Sequence, residues 1–366
     1  MTIALSFATS SKAMAENSPI GKLNVCMWFV RDEIMGILSL NKMKEHILGI
    51  DIGGTKCAVS YGYVDDLDLR PIDKVKFPTT TLDETMDNIL LSMGRMMKKH
   101  SLTGNRVAAV GISCGGPLDS RKGVIMSPPN LIGWDHVPIV GIIEKKFDIR
   151  TGLQNDANAC ALAEWKYGSG RGTRNMVFMT FGTGMGTGLI LEGKLYSGTN
   201  DNAGELGHIR LSDYGPVGYG KAGSFEGFCS GGGLAQIAKS FLSEEMQMGK
   251  TVRWCPVDEI DRISAKKVAE EAAKGDELAL RIFDVSAKEL GKGLSIVIDI
   301  LNPEMIVIGG IFTRCRSLLE PRMLEIIERE ALPNSAKVCS IMPAQLGEQI
   351  GDYAALSVAT NVMISV

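Results

Sequence analysis

The feature that most restricts the fold of this chain is a device that occurs twice. LGIDIGGT (residues 48–55) and VFMTFGTGMGTG (177–188) are each an apolar run that ends in a Gly/Thr-rich turn and leads into a second run. Apolar runs of this length, bounded by glycines, read as buried strands. One copy in each half predicts a duplicated fold with a ligand held between the copies; chance likeness of two glycine-rich turns is the alternative. The rest of the chain alternates. ILGIDI, CAVSYGYV and KVKFP read as strands, 82–100 as a helix, RVAAVGIS as a strand, and 157–167 as a helix after NDANA. MVFMTF and GTGLILEGKLY read as strands, followed by long helices over roughly 264–300. The strand EMIVIGG, a helix over 316–330, the strand KVCSIM and a final helix over 352–364 complete the order. Such alternation implies α/β layers, and 366 residues suffice for two lobes around one cleft.

Residues 1–44 lack this rhythm. The break at Met43-Lys44-Glu45-His46 predicts that Met43 is the natural start and that the preceding segment is an extension outside the fold. MTIALSFATSSKAMAE has no basic stretch ahead of its apolar residues, so it does not read as a signal peptide. VCMWFV falls far short of the about 20 residues needed to span a bilayer. The 39 Lys and Arg nearly balance 42 Asp and Glu, which argues against a broad nucleic-acid footprint. Eight cysteines (Cys26, Cys57, Cys114, Cys160, Cys229, Cys255, Cys315 and Cys339) stand singly without a CxxC pair, as reduced thiols of a cytoplasmic protein would.

Four segments carry candidate chemistry. In DIGGTK, Gly53, Gly54, Thr55 and Lys56 offer close-approaching amides, a hydroxyl and a cation to a phosphate chain, and Asp51 can hold Mg²⁺ through water. It is not a Walker A loop, because the spacing differs and a strand follows; a plain hairpin turn is the alternative. In FGTGMGTG, Gly182, Thr183, Gly184, Gly186 and Gly188 would weaken an ordinary strand and make more sense where backbone approaches phosphate. VIGG, ending in Gly309 and Gly310, leaves room for a ring or ribose, or is a simple strand-to-helix turn. In LQNDANA, Asp156 is either a helix N-cap or a general base at the end of a strand beside a phosphate cleft. NAGELGH with Glu226 adds Glu205, His208 and Glu226, a donor and acceptor set suited to sugar hydroxyls.

In this order DIGGTK, GISCGGPLD, NDANACALAEW, GTGMGTG, AGELGH and GSFEG resemble the ROK family of sugar kinases and repressors, within the hexokinase/actin-like ATPase superfamily. The resemblance runs from about residue 46 to the C-terminus. It implies a duplicated, two-lobed α/β fold of the actin-like ATPase (ribonuclease H-like) type, with ATP and sugar in the interdomain cleft. The implied lobes are 45–157 plus 345–366, the smaller, and 158–344, the larger. The implied reaction is phosphorylation of a hexose by MgATP, at the 6-hydroxyl, with Asp156 as base. Asn155, Glu205, His208 and Glu226 match sugar-binding positions, and Gly116 and Asn130 are expected to line the same pocket. The nucleotide falls to Asp51, Gly53, Gly54, Thr55, Lys56, Gly182, Thr183, Gly184, Gly186, Gly309 and Gly310. A homodimer is implied as well.

One departure matters. Family members commonly carry C-x-C-G-x-x-G-C-x-E after the Gly-His pair and bind zinc there. Here the cysteine positions hold Val217, Tyr219 and Ser224, while Gly220, Gly223 and Glu226 keep register. A histidine without its thiolates does not complete a tetrahedral site, so no structural zinc is expected. Packing by Val217 and Tyr219 is expected to fasten the loop instead. ROK repressors carry a winged helix-turn-helix ahead of this part. Residues 1–44 show neither that pattern nor a basic stripe, so a DNA-binding regulator and a non-catalytic sugar sensor remain the lesser readings. The choice among glucose, mannose and N-acetylated amino sugars is not legible.

Overall fold

The computed structural model describes residues 44–364. The proposed Met43 start, the preceding segment and Cys26 lie outside the described residues. Two five-stranded sheets form the framework, and both belong to one compact unit running from His46 to Val64 and from Leu69 onward. The first sheet uses β1 (Glu45–Ile52), β2 (Lys56–Asp65), β3 (Asp68–Pro78), β4 (Val107–Cys114) and β7 (Thr151–Asn155), in the order β3-β2-β1-β4-β7. The second uses β8 (Met176–Phe181), β9 (Thr187–Leu191), β10 (Lys194–Tyr196), β13 (Met305–Gly310) and β14 (Ser340–Pro343), in the order β10-β9-β8-β13-β14. Between them fall the short pairs β5 (Leu118–Asp119) with β6 (Val124–Ile125), and β11 (Val217–Gly218) with β12 (Lys221–Ala222).

Position by position the sheets correspond. In each, the first strand in sequence is central and parallel to the next strand outward: β1 with β4 and β7 beyond it, β8 with β13 and β14 beyond it. The duplication expected from the two glycine turns is thus present in the topology. The central strands are largely apolar and buried on both faces, as Ile47, Leu48, Ala109 and Val110 show in one sheet and Val177, Phe178, Val307 and Ile308 in the other. The helices exchange sides. Helix α3 (Asp156–Tyr167) follows β7 of the first sheet but packs on β8 and β9 of the second. The last helix, α11 (Ile350–Ile364), follows β14 but packs on β4 and β7, and the two helices pack on each other.

Several boundaries differ from the sequence reading. GTGLILEGKLY is a hairpin, because Glu192 and Gly193 both take positive φ and turn the chain between β9 and β10. The helical stretch near 264–300 is two helices, α6 (Ala265–Ala273) and α7 (Glu277–Leu301), divided at Gly275 and restarted by Asp276, whose Oδ1 accepts the Ala279 amide. KVCSIM is not one strand. Pro333 opens a short helix, α10 (Pro333–Val338), that takes Lys337 and Val338, and β14 begins at Ser340. Helices α2 (Ile139–Phe147) and α5 (Gly231–Gln247) had no counterpart in the sequence reading. The helix over 82–100 is α1 (Leu82–Lys99), capped by Thr81.

Candidate active site

A cavity of about 420 Å³ collects residues that follow strands of both sheets. Of the residues assigned to sugar, Gly116, Asn155, Asp156, Glu205, His208 and Glu226 line it. Asn130 does not; its neighbour Pro129 does. Asn130 instead sits against the first glycine turn, where a Cβ on Gly54 would come 2.6 Å from the Asn130 carbonyl oxygen and 2.8 Å from its Cβ. Only glycine permits that approach. Met185, Asn202 and Tyr219 also line the cavity and were missed as ligand-facing residues. Each lies inside a segment already singled out, in FGTGMGTG, at the head of NAGELGH and in the 207–226 loop, but none has a charge or a glycine of its own to mark it.

Asp156 begins α3 at the end of β7. The cap of this helix is Asn155, whose Oδ1 accepts the Asn158 amide at 2.7 Å. The capping alternative for Asp156 therefore falls away, and one oxygen of Asn155 is spent on the helix, leaving its amide nitrogen for the cavity. Asp156 Oδ1 accepts the Ala157 amide at 2.8 Å. The residue is open to the cleft, yet the cleft walls strip it of bulk water, and this desolvation pushes its carboxyl above the usual aspartate range. Asp51, at the end of β1, is also raised by burial; Asp156 adds to the shift while Lys74 and Lys56 oppose it. Glu205 is raised by burial too, with His208 pulling the other way and Glu226 and Asp156 adding to the rise.

The two glycine turns flank this carboxylate pair. In the first, the Gly53 amide donates to the Lys56 carbonyl at 3.2 Å, and Thr79 Oγ1 donates to the Gly53 carbonyl at 2.6 Å. In the second, the Gly182 amide donates to the Gly184 carbonyl at 3.0 Å and the Gly186 amide to Thr180 Oγ1 at 2.8 Å. Among the described residues the amides of Gly54, Thr55, Thr183 and Gly184 donate to no protein acceptor. These four are the groups available to an anion. Gly186 and Gly188 also meet a packing demand: a Cβ at Gly186 would come 3.1 Å from Ala157 Cβ and one at Gly188 2.5 Å from Ala161 Cβ, both of α3. The close approach of a helix is thus a second reason for small residues here. Gly310 pairs with Phe181 in the β13–β8 register, which sets the Gly309-Gly310 pair beside the second turn.

The segment 207–226 is fastened differently from expectation. Tyr219 is 82 % exposed and Val217 48 %, so neither packs the loop down. Hydrogen bonds do so instead. Gln236 receives the Val217 amide at 2.8 Å and donates back to its carbonyl at 2.9 Å; the Gly223 carbonyl accepts the amides of Leu211 and Ser212. Lys221 Nζ donates to the His208 carbonyl at 2.7 Å, and the fully buried Ser224 caps the short helix α4 (Phe225–Phe228). Tyr219, with φ of 46°, turns its ring edge to His208, with centroids 6.2 Å apart. Among the described residues no three His, Cys, Asp or Glu side chains converge as a metal site, and the seven described cysteines are free. No helix among them is long and apolar enough to cross a membrane.

Comparison with known proteins agrees with this geometry. The profile of the ROK family matches residues 47–361. The glucokinase of Halalkalibacterium halodurans is 30% identical over 309 residues, covering 83% of this chain and 92% of its own. The crystal structure of a ROK family glucokinase from Streptomyces griseus in complex with glucose and AMPPNP is similar with a TM-score of 0.63 and 27% identity, over 87% of this chain and 99% of that one. A ROK family transcriptional regulator, a homologue of the E. coli MLC protein, is similar with a TM-score of 0.75 over 88% of this chain and 80% of that one; at 23% identity this likeness concerns the fold alone. The duplicated α/β arrangement is the two-lobed actin-like ATPase fold. With the family match spanning nearly all of the described residues, the chain belongs to the ROK family.

Proposed function

We propose that the chain is an ATP-dependent kinase of a hexose, glucose or a near relative, transferring phosphate to the 6-hydroxyl with Asp156 as general base. The observation that carries this reading is the state of Asp156: relieved of capping by Asn155, open to the cavity, and raised in pKa by desolvation. As the sugar oxygen bonds to the γ-phosphorus, the bond from that phosphorus to the β–γ bridging oxygen breaks, and the hydroxyl proton passes to Asp156. Asn155, Glu205, His208 and Glu226 hold the remaining hydroxyls and fix the ring so that one hydroxyl faces Asp156. The unpaired amides of Gly54, Thr55, Thr183 and Gly184 take the phosphates, with Lys56 close to Asp51. Two desolvated carboxyls whose charges are felt together, Asp51 and Asp156, suit a divalent cation, with Asp51 the residue to hold it. Mg²⁺ bound there supplies charge neutralisation at the phosphate oxygens.

On this reading the lobes are 45–157 with 345–366, and 158–344, which is supported by α11 packing on β4 and β7. The 207–226 loop works without zinc because hydrogen bonds hold it, and the setting is a cytoplasmic homodimer. ADP release, screened over about ten hexoses and amino sugars, identifies the substrate. Asp156→Asn is expected to lower kcat by at least about 10²-fold, the lower range for a general base, while sugar affinity stays within a few-fold. Near-normal turnover in that variant would remove the assigned base. Sugar binding without turnover in the wild type would favour a sensor or regulator.

A further inference from the structure

Met185 stands in two places at once. Its side chain is buried and lines the sugar cavity, while its backbone is the centre of the second glycine turn. The Met185 amide donates to Glu226 Oε2 at 2.9 Å. Glu226 in turn lines the cavity from the loop that ends in α4. The carboxylate lies close against the turn because the residues beside it are glycines. A Cβ on Gly184 would come 2.9 Å from Glu226 Oε2, and one on Gly207, beside His208, would come 3.2 Å from both the Glu226 Cβ and the Met185 carbonyl oxygen. Outside this contact the turn is held by its own Gly182–Gly184 bond, by Thr180 and Gly186, which bond each other at 2.8 Å, and by the Gly231 amide, from the start of α5, donating to the Gly182 carbonyl at 2.7 Å. Between the candidate sugar site and the two amides free for phosphate there is one side chain and one hydrogen bond.

We propose that Glu226 is a positioning residue that couples sugar binding to nucleotide binding through the Met185 amide. The inference rests on the kinase reading of the cleft, but it concerns binding rather than turnover. A carboxylate turns readily about its last torsion. Without sugar its Oε1 meets water, and the grip of Oε2 on the Met185 amide is one orientation among several. A sugar hydroxyl donating to Oε1 holds the group in that orientation. The charge-assisted bond to Met185 then stays closed, and Thr183 and Gly184 are kept in the form that presents their amides. Because coupling is a property of both ligands, nucleotide must tighten sugar by the same factor as sugar tightens nucleotide.

Calorimetry on the full chain tests this with Mg-AMPPNP alone and in saturating glucose, mannose or N-acetylmannosamine. In the wild type at least one sugar is expected to tighten AMPPNP about tenfold, within the usual range of such couplings, and AMPPNP to tighten that sugar equally. Glu226→Ala is expected to weaken AMPPNP binding about fivefold with no sugar present and to abolish the coupling. Glu226→Gln, whose amide oxygen still accepts from Met185, is expected to restore most of the sugar-free nucleotide affinity. Thermal melts of both variants separate these effects from loss of fold, which Gln would not rescue in affinity alone. A folded Glu226→Ala protein with unchanged AMPPNP affinity overturns the proposal and leaves Glu226 a sugar ligand only. A wild type in which none of the three sugars tightens AMPPNP overturns it as well. A wild type that binds no AMPPNP at all overturns the kinase reading itself.

Discussion

The two glycine turns occupy the same place in the two halves of the molecule, each after the central strand of its sheet, yet they are held by different means. The first is closed from within its own half: Thr79 donates its hydroxyl to the Gly53 carbonyl and its amide to the Thr55 carbonyl, while the backbone of Asn130 presses on Gly54. The second is held by Thr180, by a side chain that also lines the cavity, Glu226, and by the start of α5. The flanking carboxylates differ in the same sense. Burial raises both, but at Asp51 Lys74 and Lys56 oppose the rise, whereas at Asp156 only backbone amides do. On the coupling proposed above, the duplicated fold keeps one turn preformed and makes the other answer to the wall of the cavity.

The comparison can be broken at three points. The largest effect is expected from Gly54→Ala. Its Cβ would meet backbone atoms of Asn130, which cannot swing aside, so the turn itself must shift; a displacement of this kind costs about 10²-fold in kcat/KM. Steady-state kinetics should show the same loss at low and saturating sugar, since nothing in this turn faces the sugar. Gly184→Ala is expected to do less, about tenfold and chiefly in the KM for ATP, because its Cβ meets the mobile end of Glu226. That variant should also lose the mutual tightening of sugar and nucleotide. Equal, sugar-independent defects in the two variants would erase the distinction between the turns.

The smallest effect concerns pH. Asp156 must be ionised to accept a proton, and its carboxyl is raised above 3.8, so the acid limb of kcat/KM should lie above that value, with activity lost as pH falls through the raised pKa. Stability has the opposite sign. A folded-state pKa above the unfolded one means that the folded chain holds the proton more tightly, so this residue's contribution to stability declines as pH rises from 3.8 through the raised value. Asp156→Asn should therefore melt slightly higher than the wild type at neutral pH and no higher near pH 3. An acid limb at or below 3.8 would mean that the cleft does not desolvate this carboxyl.

Much of the site was legible because its chemistry is local. A strand, a Gly/Thr turn and a second strand need only their own residues to announce amides exposed to an anion, and Asp156 was marked by its place after a short strand. The strands of both sheets were legible for the same reason, since continuous apolar runs record burial on both faces. Helix α5 was hidden because it opens with Gly231, Gly232 and Gly233, residues that oppose helix formation; Ser230 caps it and the turn at Gly182 anchors it. The fastening of the 207–226 loop was misread because its partner, Gln236, lies outside the loop on that hidden helix. The second demand on Gly186 and Gly188 was hidden for a similar reason: the helix that requires them to be small, α3 (Asp156–Tyr167), lies outside their segment and earlier in the chain.

By itself, then, the sequence determined most of the strands, the duplication, the two turns and the absence of thiolates at Val217, Tyr219 and Ser224. These follow from backbone chemistry and from side-chain types within a few residues of one another. Only the tertiary structure decided that Asn155 rather than Asp156 caps α3, that Asn130 presses on Gly54, and that Glu226 reaches the Met185 amide. Each of those depends on which of several possible acceptors or neighbours is brought within about 3 Å, the range of a hydrogen bond, and that choice is made by the packing of segments far apart in the chain.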